Sequence, residues 1–138
     1  MISPLLLDTC AAIWAGEPGA DSGPTRAILR DAKAARTDIY LSPITAWELG
    51  TLVARGRLTL ALPTSAWFAR FLSAGNLALA EMPPAVLIAS TELPGDIHGD
   101  PADRIIIATA REYGLRVVTR DRRILEYAQK GHVQALAC

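Results

Sequence analysis

The chain has few cysteines and histidines and no long hydrophobic run, and each shortage excludes a class of protein. Its two cysteines, Cys10 and Cys138, form neither a CxxC motif nor a Cys/His pattern, so a zinc site is not expected and a reduced, cytoplasmic protein is the simplest interpretation. No apolar run approaches the ~20 residues needed to cross a bilayer, and the N-terminus lacks the basic flank of a signal peptide. His98 and His132 are isolated, which favours loop or surface positions over metal ligation.

The chain also lacks an excess of charge of either sign. Fourteen Lys and Arg residues balance fourteen Asp and Glu residues, so no strongly basic surface indicates nucleic-acid binding. The balance does not exclude such binding, because acids that line a metal site are counted among the fourteen. Only Lys33 and Lys130 are lysines; the bias towards arginine suits bidentate contact with phosphate, although high genomic GC content would produce the same bias.

Short apolar runs alternate with helical patterns along the whole chain, which predicts one α/β domain over residues 1–138 with a parallel central sheet. Strands are predicted at residues 4–7, 39–41, 77–80, 116–119 and 133–136. Helices are predicted from residue 9 to at least 14, and at 25–36, 43–55, 64–74, 84–91, 101–113 and 122–129, with a Gly/Pro loop at 17–24 and a polar loop at 93–100. Ser42 and Asp100 are expected N-caps, and Gly114 is an expected C-terminal stop.

Three aspartates lie where a predicted strand gives way to a helix, or at the start of a helix. Asp8 follows the first strand, Asp121 follows the strand at 116–119, and Asp103 is the third residue of the helix that begins at Pro101. The carboxyl ends of parallel strands form the ligand crevice of open α/β sheets, so these acids are expected to converge. Each has an alternative role: Asp8 and Asp121 as helix N-caps, and Asp103 as a first-turn acid that completes a capping box with Asp100.

Glu48 lies inside a predicted helix, on the same stripe as the apolar residues Ile44 and Leu52. We expect it to be half-buried and to point into the same crevice, although it would be solvated if it lay at the edge of that stripe. Four converging carboxylates without an apparent cationic partner require a hard divalent cation. The sequence therefore indicates Mg²⁺ or Mn²⁺ and chemistry on phosphate.

Other aspartate and cysteine chemistries lack their partners. Position 10 is Cys10, where a haloacid-type phosphatase needs a second Asp, and no arginine lies six residues after this cysteine, as a thiol phosphatase would require. The strand at 116–119 is followed by Arg120 rather than the lysine of a phosphotransfer domain. No Gly-rich phosphate loop ending in GK[ST] is present.

Four segments in order along the chain resemble the PIN domain, and in particular the VapC-type toxins of bacterial toxin–antitoxin pairs. They are LLLDT at 5–9, SPITAWEL at 42–49, GDPADR at 99–104 followed by IATA at 107–110, and VTRD at 118–121. Each segment is common on its own, whereas four together at this spacing are specific. The resemblance covers essentially the whole chain.

The resemblance implies a three-layer α/β/α sandwich with a central parallel sheet and Mg²⁺-dependent endoribonuclease activity. It assigns the family's four acids to Asp8, Glu48, Asp103 and Asp121, as catalytic residues that hold Mg²⁺ or Mn²⁺ directly or through water. Asp100 is a possible auxiliary acid and Thr119 a polar residue lining the site, while Arg104 would orient a carboxylate, meet a phosphate or form a surface salt bridge. Cys10 departs from the His often found two residues after the first aspartate.

Family members commonly form homodimers and are silenced by a small antitoxin whose tail occupies the groove, so a cognate antitoxin and an RNA substrate are the expected partners. Exposed members of the set Trp67, Phe68, Phe71 and Leu72 are predicted to form a groove for an amphipathic antitoxin helix, with core packing as the alternative. Two other functions stay open: a catalytically degenerate PIN-like module that docks RNA or protein, and a DNA nuclease of related fold.

Overall fold

The computed structural model of the chain describes residues 3–17, 22–97 and 99–138. Five parallel strands form one sheet in the order β3-β2-β1-β4-β5. The strands are β1 (Leu5–Leu7), β2 (Ile39–Leu41), β3 (Ala78–Leu79), β4 (Arg116–Thr119) and β5 (Gln134–Ala137). The central strand β1 pairs with β2 and with β4, so that Leu7 lies beside both Leu41 and Val118. The predicted parallel sheet is therefore confirmed.

Seven helices connect and cover the strands within the described residues. They are α1 (Thr9–Gly16), α2 (Gly23–Ala34), α3 (Pro43–Ala54), α4 (Thr64–Ala74), α5 (Pro84–Thr91), α6 (Pro101–Tyr113) and α7 (Arg122–Gln129). The longest described helix, α6, has 13 residues, and none of the described helices could cross a membrane. The bounds agree with the predicted ones to within about two residues. Residues 18–21 of the predicted loop and His98 lie outside the described residues.

Three strand predictions need correction, and the first is that β1 begins at Leu5 rather than at residue 4. β3 has two residues rather than four. The amide of Leu77 donates to the carbonyl of Leu72 at the end of α4, so it is not available for pairing with β2. β5 begins one residue later than predicted and continues to Ala137, where its pairing with Thr119 extends the sheet.

The two faces of the sheet carry separate hydrophobic clusters because successive strand residues point to opposite sides. Leu5 and Leu7 pack with residues of α1 and α2, whereas Leu6 packs on the other face with residues of α6 and α7. The cluster on the α1 side includes Ala11, Ala12, Leu29 and Ala32, and that on the α6 side includes Ile106, Ile107, Ala110, Ile124 and Tyr127. The expected three-layer α/β/α sandwich is confirmed.

The apolar residues of α4 belong mainly to the core. Trp67 is only 4% exposed, and Phe68, Phe71 and Leu72 are half-buried against the cluster on the α1 side. The core-packing alternative is thus right for Trp67, and the other three side chains are half-buried and retain some exposed surface. Burying the apolar side of α4 stabilises the α1 layer and leaves a groove between α2 and α4.

Candidate functional site

Asp8 directly follows β1 and is the N-cap of α1. Its Oδ1 accepts a hydrogen bond from the amide of Ala11 at 2.8 Å, and its Oδ2 accepts one from Thr119 Oγ1 at 2.5 Å. The residue is only 5% exposed. The helix-cap alternative is therefore correct for one carboxylate oxygen, while the other oxygen is directed across the sheet to the end of β4.

Thr119 links Asp8 to Asp121. It is completely buried, and its Oγ1 both donates to Asp8 Oδ2 and accepts from the amide of Asp121 at 2.9 Å. Asp121 in turn caps α7, because its Oδ1 accepts from the amide of Arg123 at 2.8 Å. A single hydroxyl group thus joins the acids at the ends of two neighbouring strands.

Glu48 is half-buried on α3, as its place on an apolar stripe predicts. Its Oε1 accepts a hydrogen bond from Thr9 Oγ1, and Thr9 Oγ1 lies 3.2 Å from Thr45 Oγ1. Since the Thr9 proton is directed at Glu48, Thr45 is the donor of the second bond. Thr9 and Thr45 were not among the predicted site residues. Their only sequence signal is a threonine directly after Asp8 and another three residues before Glu48.

Asp100 and Asp103 lie at the start of α6. Asp100 is the N-cap, and its Oδ1 accepts from the amide of Asp103 at 3.0 Å. Asp103 is the only acid in the first turn of this helix, where a negative charge also favours the helix dipole. The prediction that Asp100 is the N-cap of α6 is confirmed, and Asp103 lies within electrostatic range of the other acids.

Asp103 lies within electrostatic range of the other four carboxyl groups. Desolvation, followed by the negative charges of Asp100, Glu48, Asp121 and Asp8 in that order, raises the pKa of Asp103 to about 7. Burial also raises the pKa of Glu48, with contributions from Asp100 and Asp8. The pKa of Asp8 is raised by burial and by Asp121, against the lowering effect of its two hydrogen bonds.

The same negative charges act on the thiol of Cys10, in the first turn of α1. Desolvation, followed by the negative charges of Asp8, Glu48, Asp103 and Asp121, raises the pKa of its thiol to about 12. A thiol with this pKa is protonated at neutral pH. It marks the position of α1 beside the carboxylates.

Arg104 has a structural contact that the sequence did not reveal. Its Nε donates to the carbonyl of Ser90 at 2.9 Å and its Nη1 to the carbonyl of Ile97 at 3.3 Å. These bonds connect the start of α6 to α5 and to the loop between the two helices. Arg104 thereby helps to hold Asp103, the residue before it, in place.

The donor set fits a hard divalent cation. Its ligands would all be carboxylate oxygens, which Mg²⁺ and Mn²⁺ prefer. Burial, and then the neighbouring negative charges, raise the pKa values of Asp8, Glu48 and Asp103. Within residues 3–17, 22–97 and 99–138, no three His, Cys, Asp or Glu side chains are already arranged to hold an ion.

The class of this protein follows from two features. Its fold is an α/β/α sandwich, and its acids cluster at the carboxyl ends of the strands. Residues 5–130 match the family model of the PIN domain, and the chain belongs to this family. It is 33% identical over 124 residues to Ribonuclease VapC22 of Mycobacterium tuberculosis (strain ATCC 25618 / H37Rv), covering 89% of this chain and 91% of that protein.

Two solved structures are similar over nearly their full length. VapBC2 from Rickettsia felis, bound to a DNA fragment from its promoter, matches with a TM-score of 0.70 and 18% identity over 96% of this chain and 97% of that chain. FitAcB from Neisseria gonorrhoeae matches with a TM-score of 0.60 and 26% identity over 96% of both chains. The match at 18% identity establishes the fold alone. Together with the relative from M. tuberculosis, these matches confirm the resemblance to VapC-type PIN domains.

Proposed function

We propose that this protein is a Mg²⁺-dependent endoribonuclease that acts as the toxin of a type II toxin–antitoxin pair. The observation that supports this proposal best is the convergence of Asp8, Glu48, Asp103 and Asp121 at one edge of the sheet. Such a cluster is electrostatically unfavourable without a cation. The name of the M. tuberculosis relative, a ribonuclease, supports RNA as the substrate.

In the proposed mechanism, Asp8, Asp103 and Asp121 would hold Mg²⁺ or Mn²⁺ directly or through water, and Asp100 would add negative charge. When bound, the ion would lower the pKa of a water molecule and offset the charge that develops on the phosphate. Glu48 would complete the carboxylate set or position the attacking water.

Buried hydroxyl groups orient two of these acids before any substrate arrives. Thr119 fixes Oδ2 of Asp8, and Thr9 fixes Oε1 of Glu48. Carboxylates that are held in one rotamer lose less entropy when they take up a cation, so the hydroxyl groups favour a defined site.

Asp8→Asn tests the catalytic assignment, because it keeps the capping oxygen and removes one charge. We expect it to abolish cleavage of a mixed RNA pool while the metal-free protein stays at least as stable as the wild type. Saturating Mg²⁺ at a hundredfold excess over its dissociation constant should stabilise the wild type by about 2.7 kcal/mol, and the variant by much less. Thermal melts with EDTA and with Mg²⁺, run beside the cleavage assay, measure both effects.

The matched control is Asp31→Asn, which changes an exposed acid on α2 and should leave cleavage unchanged. Wild-type rates from Asp8→Asn would refute the role of Asp8. Absence of metal-dependent cleavage by the wild type would favour the docking module, and cleavage of DNA but not RNA would favour the DNA nuclease.

The groove between α2 and α4 is the surface that best fits an antitoxin segment. It encloses about 670 Å³, with Leu29, Trp67 and Phe71 among its apolar lining residues. Four basic residues also line it: Arg26, Arg30, Lys33 and Arg70. An apolar floor with cationic edges suits an amphipathic segment that carries acidic residues.

Glu17 shapes one end of this groove. Its two carboxylate oxygens accept hydrogen bonds from Trp67 Nε1 at 2.7 Å and from the amide of Ala61 at 2.8 Å. The indole ring is thereby held in one orientation, and a preformed groove binds a partner at lower entropic cost.

Co-expression with the neighbouring gene of the operon should recover a small second chain with this protein. The double variant Arg30→Glu/Arg70→Glu should reduce its recovery, whereas Arg57→Glu, an exposed change outside the groove, should not. Recovery of the wild type alone, active and well tolerated by its host, would contradict the antitoxin proposal.

We also propose a homodimer. Trp47 on α3 and Ile88 on α5 are 62% and 59% exposed, and large apolar side chains of this kind are often covered at subunit interfaces. Analytical ultracentrifugation of the purified protein should give the mass of two chains; the mass of one chain would contradict the proposal.

A further inference from the structure

The Trp14–Arg120 pair lies beside the carboxylates and has no part in the mechanism proposed above. The guanidinium carbon of Arg120 lies 3.9 Å from the centroid of a Trp14 ring, and Arg120 Nε donates to the carbonyl of Cys138 at 3.0 Å. Both side chains are partly exposed. A guanidinium group held by a ring and a carbonyl is fixed in orientation, so it is ready to bind a ligand without further ordering.

Two connections place the pair next to the acids. Arg120 separates Thr119 from Asp121 in the sequence. Trp14 follows Cys10 by four residues and therefore lies on the same side of α1, one turn further along, and the Cys10 thiol is within electrostatic reach of four of the carboxylates. Because an α-helix rises ~1.5 Å per residue, Trp14 lies roughly 9 Å along the axis from Asp8.

The charge of the substrate explains why such a pair is needed there. RNA is a polyanion, and a cluster of carboxylates repels it except where a cation is bound. The chain as a whole carries no net charge, so attraction must come from basic groups close to the site. Arginine contacts phosphate through charge-assisted hydrogen bonds, and its planar group also stacks on aromatic rings and on bases.

We propose that the Trp14–Arg120 pair is a phosphate-binding subsite for single-stranded RNA, next to the position of the scissile phosphate. Arg120 binds the phosphate of a neighbouring nucleotide. Trp14 is a positioning residue, because its ring holds the guanidinium plane in place. This inference rests on the proposed ribonuclease function and adds to it a specific contact outside the carboxylate cluster.

The test measures binding of a random-sequence, single-stranded oligoribonucleotide to Asp8→Asn protein in Mg²⁺ at several salt concentrations. Arg120→Ala in this background should weaken binding about tenfold. It should also reduce the slope of log K against log salt by about 0.7, as expected for one lost phosphate contact on a single strand. Trp14→Ala should weaken binding as well, whereas Trp14→Phe, which retains an aromatic ring, should restore most of the affinity. Arg57→Ala is the control and should change neither quantity.

Cleavage assays on Arg120→Ala without the Asp8→Asn substitution distinguish a failure of this inference from a failure of the proposed function. Arg120→Ala should raise KM about tenfold and leave kcat within about twofold, because substrate and transition state lose the same contact. A wild type that cleaves RNA while Arg120→Ala retains its KM and salt slope would overturn the subsite alone. No metal-dependent cleavage by the wild type would overturn the proposed function instead.

A second variant is needed because Arg120 also has a structural role. Its bond to Cys138 connects β5 to the end of β4, so the thermal stability of each variant is measured first. If Arg120→Ala does not fold, Arg120→Gln replaces it, since glutamine loses the charge and can still donate a hydrogen bond to the carbonyl of Cys138. Weaker binding with a smaller salt slope would support the subsite, and wild-type affinity would overturn it.

Discussion

Hydroxyl groups set the arrangement of the acids at the scale of single residues. Thr119 Oγ1 is shared between Asp8 and the amide of Asp121, and Thr9 Oγ1 is shared between Glu48 and Thr45. Both threonines are buried, and buried polar groups are costly unless they are hydrogen-bonded. Each threonine therefore both satisfies its own hydroxyl and restricts a neighbouring carboxylate to one orientation.

Thr119→Val tests this role. The substitution leaves the amide of Asp121 without its acceptor, so we expect a loss of about 1–3 kcal/mol in the free energy of unfolding. It also removes the bond that lowers the pKa of Asp8, so the acidic limb of the cleavage pH profile should move to higher pH. Urea unfolding and a pH–rate profile measure the two effects. Thr119→Ser keeps the hydroxyl and should retain the wild-type profile; an unmoved profile in Thr119→Val would show that Thr119 does not control Asp8.

At the scale of elements, the close packing of α1 against α4 depends on a glycine. A Cβ atom at Gly16 would lie 2.6 Å from Cζ2 of Trp67 and 3.0 Å from Cδ1 of Phe71. Trp67 is buried and bonded to Glu17, so its ring cannot move without loss of packing and of that bond. The groove proposed for the antitoxin is shaped by the same contact.

Gly16→Ala should therefore destabilise the protein by about 1–3 kcal/mol, as overpacking of a core does, and weaken co-purification of the antitoxin. The control is Gly50→Ala, inside α3 with no atom within 4 Å of the added Cβ. It should stabilise the protein by about 0.5–1 kcal/mol, since alanine is favoured over glycine in a helix. Equal effects of the two substitutions in chemical denaturation would contradict the packing argument.

At the scale of the whole molecule, three of the clustered acids make the metal-free fold dependent on pH. The pKa of Asp103 is raised from its ordinary value of 3.8 to about 7 in the folded state, and those of Asp8 and Glu48 are also raised. Over this range the folded state holds more protons than the unfolded state. The stability gained from these groups is therefore complete below pH ~4 and falls as the pH rises.

The free energy of unfolding in EDTA should accordingly decrease between about pH 4 and pH 7, and saturating Mg²⁺ should reduce the decrease because the cation favours the ionised acids. Urea unfolding at several pH values, with and without Mg²⁺, measures this. Asp103→Asn removes the largest resolved shift and should flatten the metal-free curve relative to the wild type. Parallel curves for the two proteins would mean that Asp103 does not carry the effect.

Local sequence signals determined the elements of this protein and the identity of its acids. The bounds of α6 were predicted correctly because Asp100 caps one end and Gly114, with a φ of 66°, ends the other, and both signals act within a few residues. The burial of Glu48 followed from the period of α3. In contrast, the length of β3 depended on a competing hydrogen bond at the end of α4, which no pattern within the strand indicates.

Only the tertiary structure decided which side chains meet across elements. The bond between Thr9 and Glu48 depends on how α1 and α3 pack, and that between Thr119 and Asp8 joins residues 111 positions apart in the chain. The pKa of Asp103 and the groove lined by Trp67 likewise depend on neighbours from several helices. Propensities, caps and periodicity are short-range properties that a sequence displays directly. Burial, desolvation and hydroxyl pairing are set by the packing of distant segments, and they decide how the acids are oriented and charged.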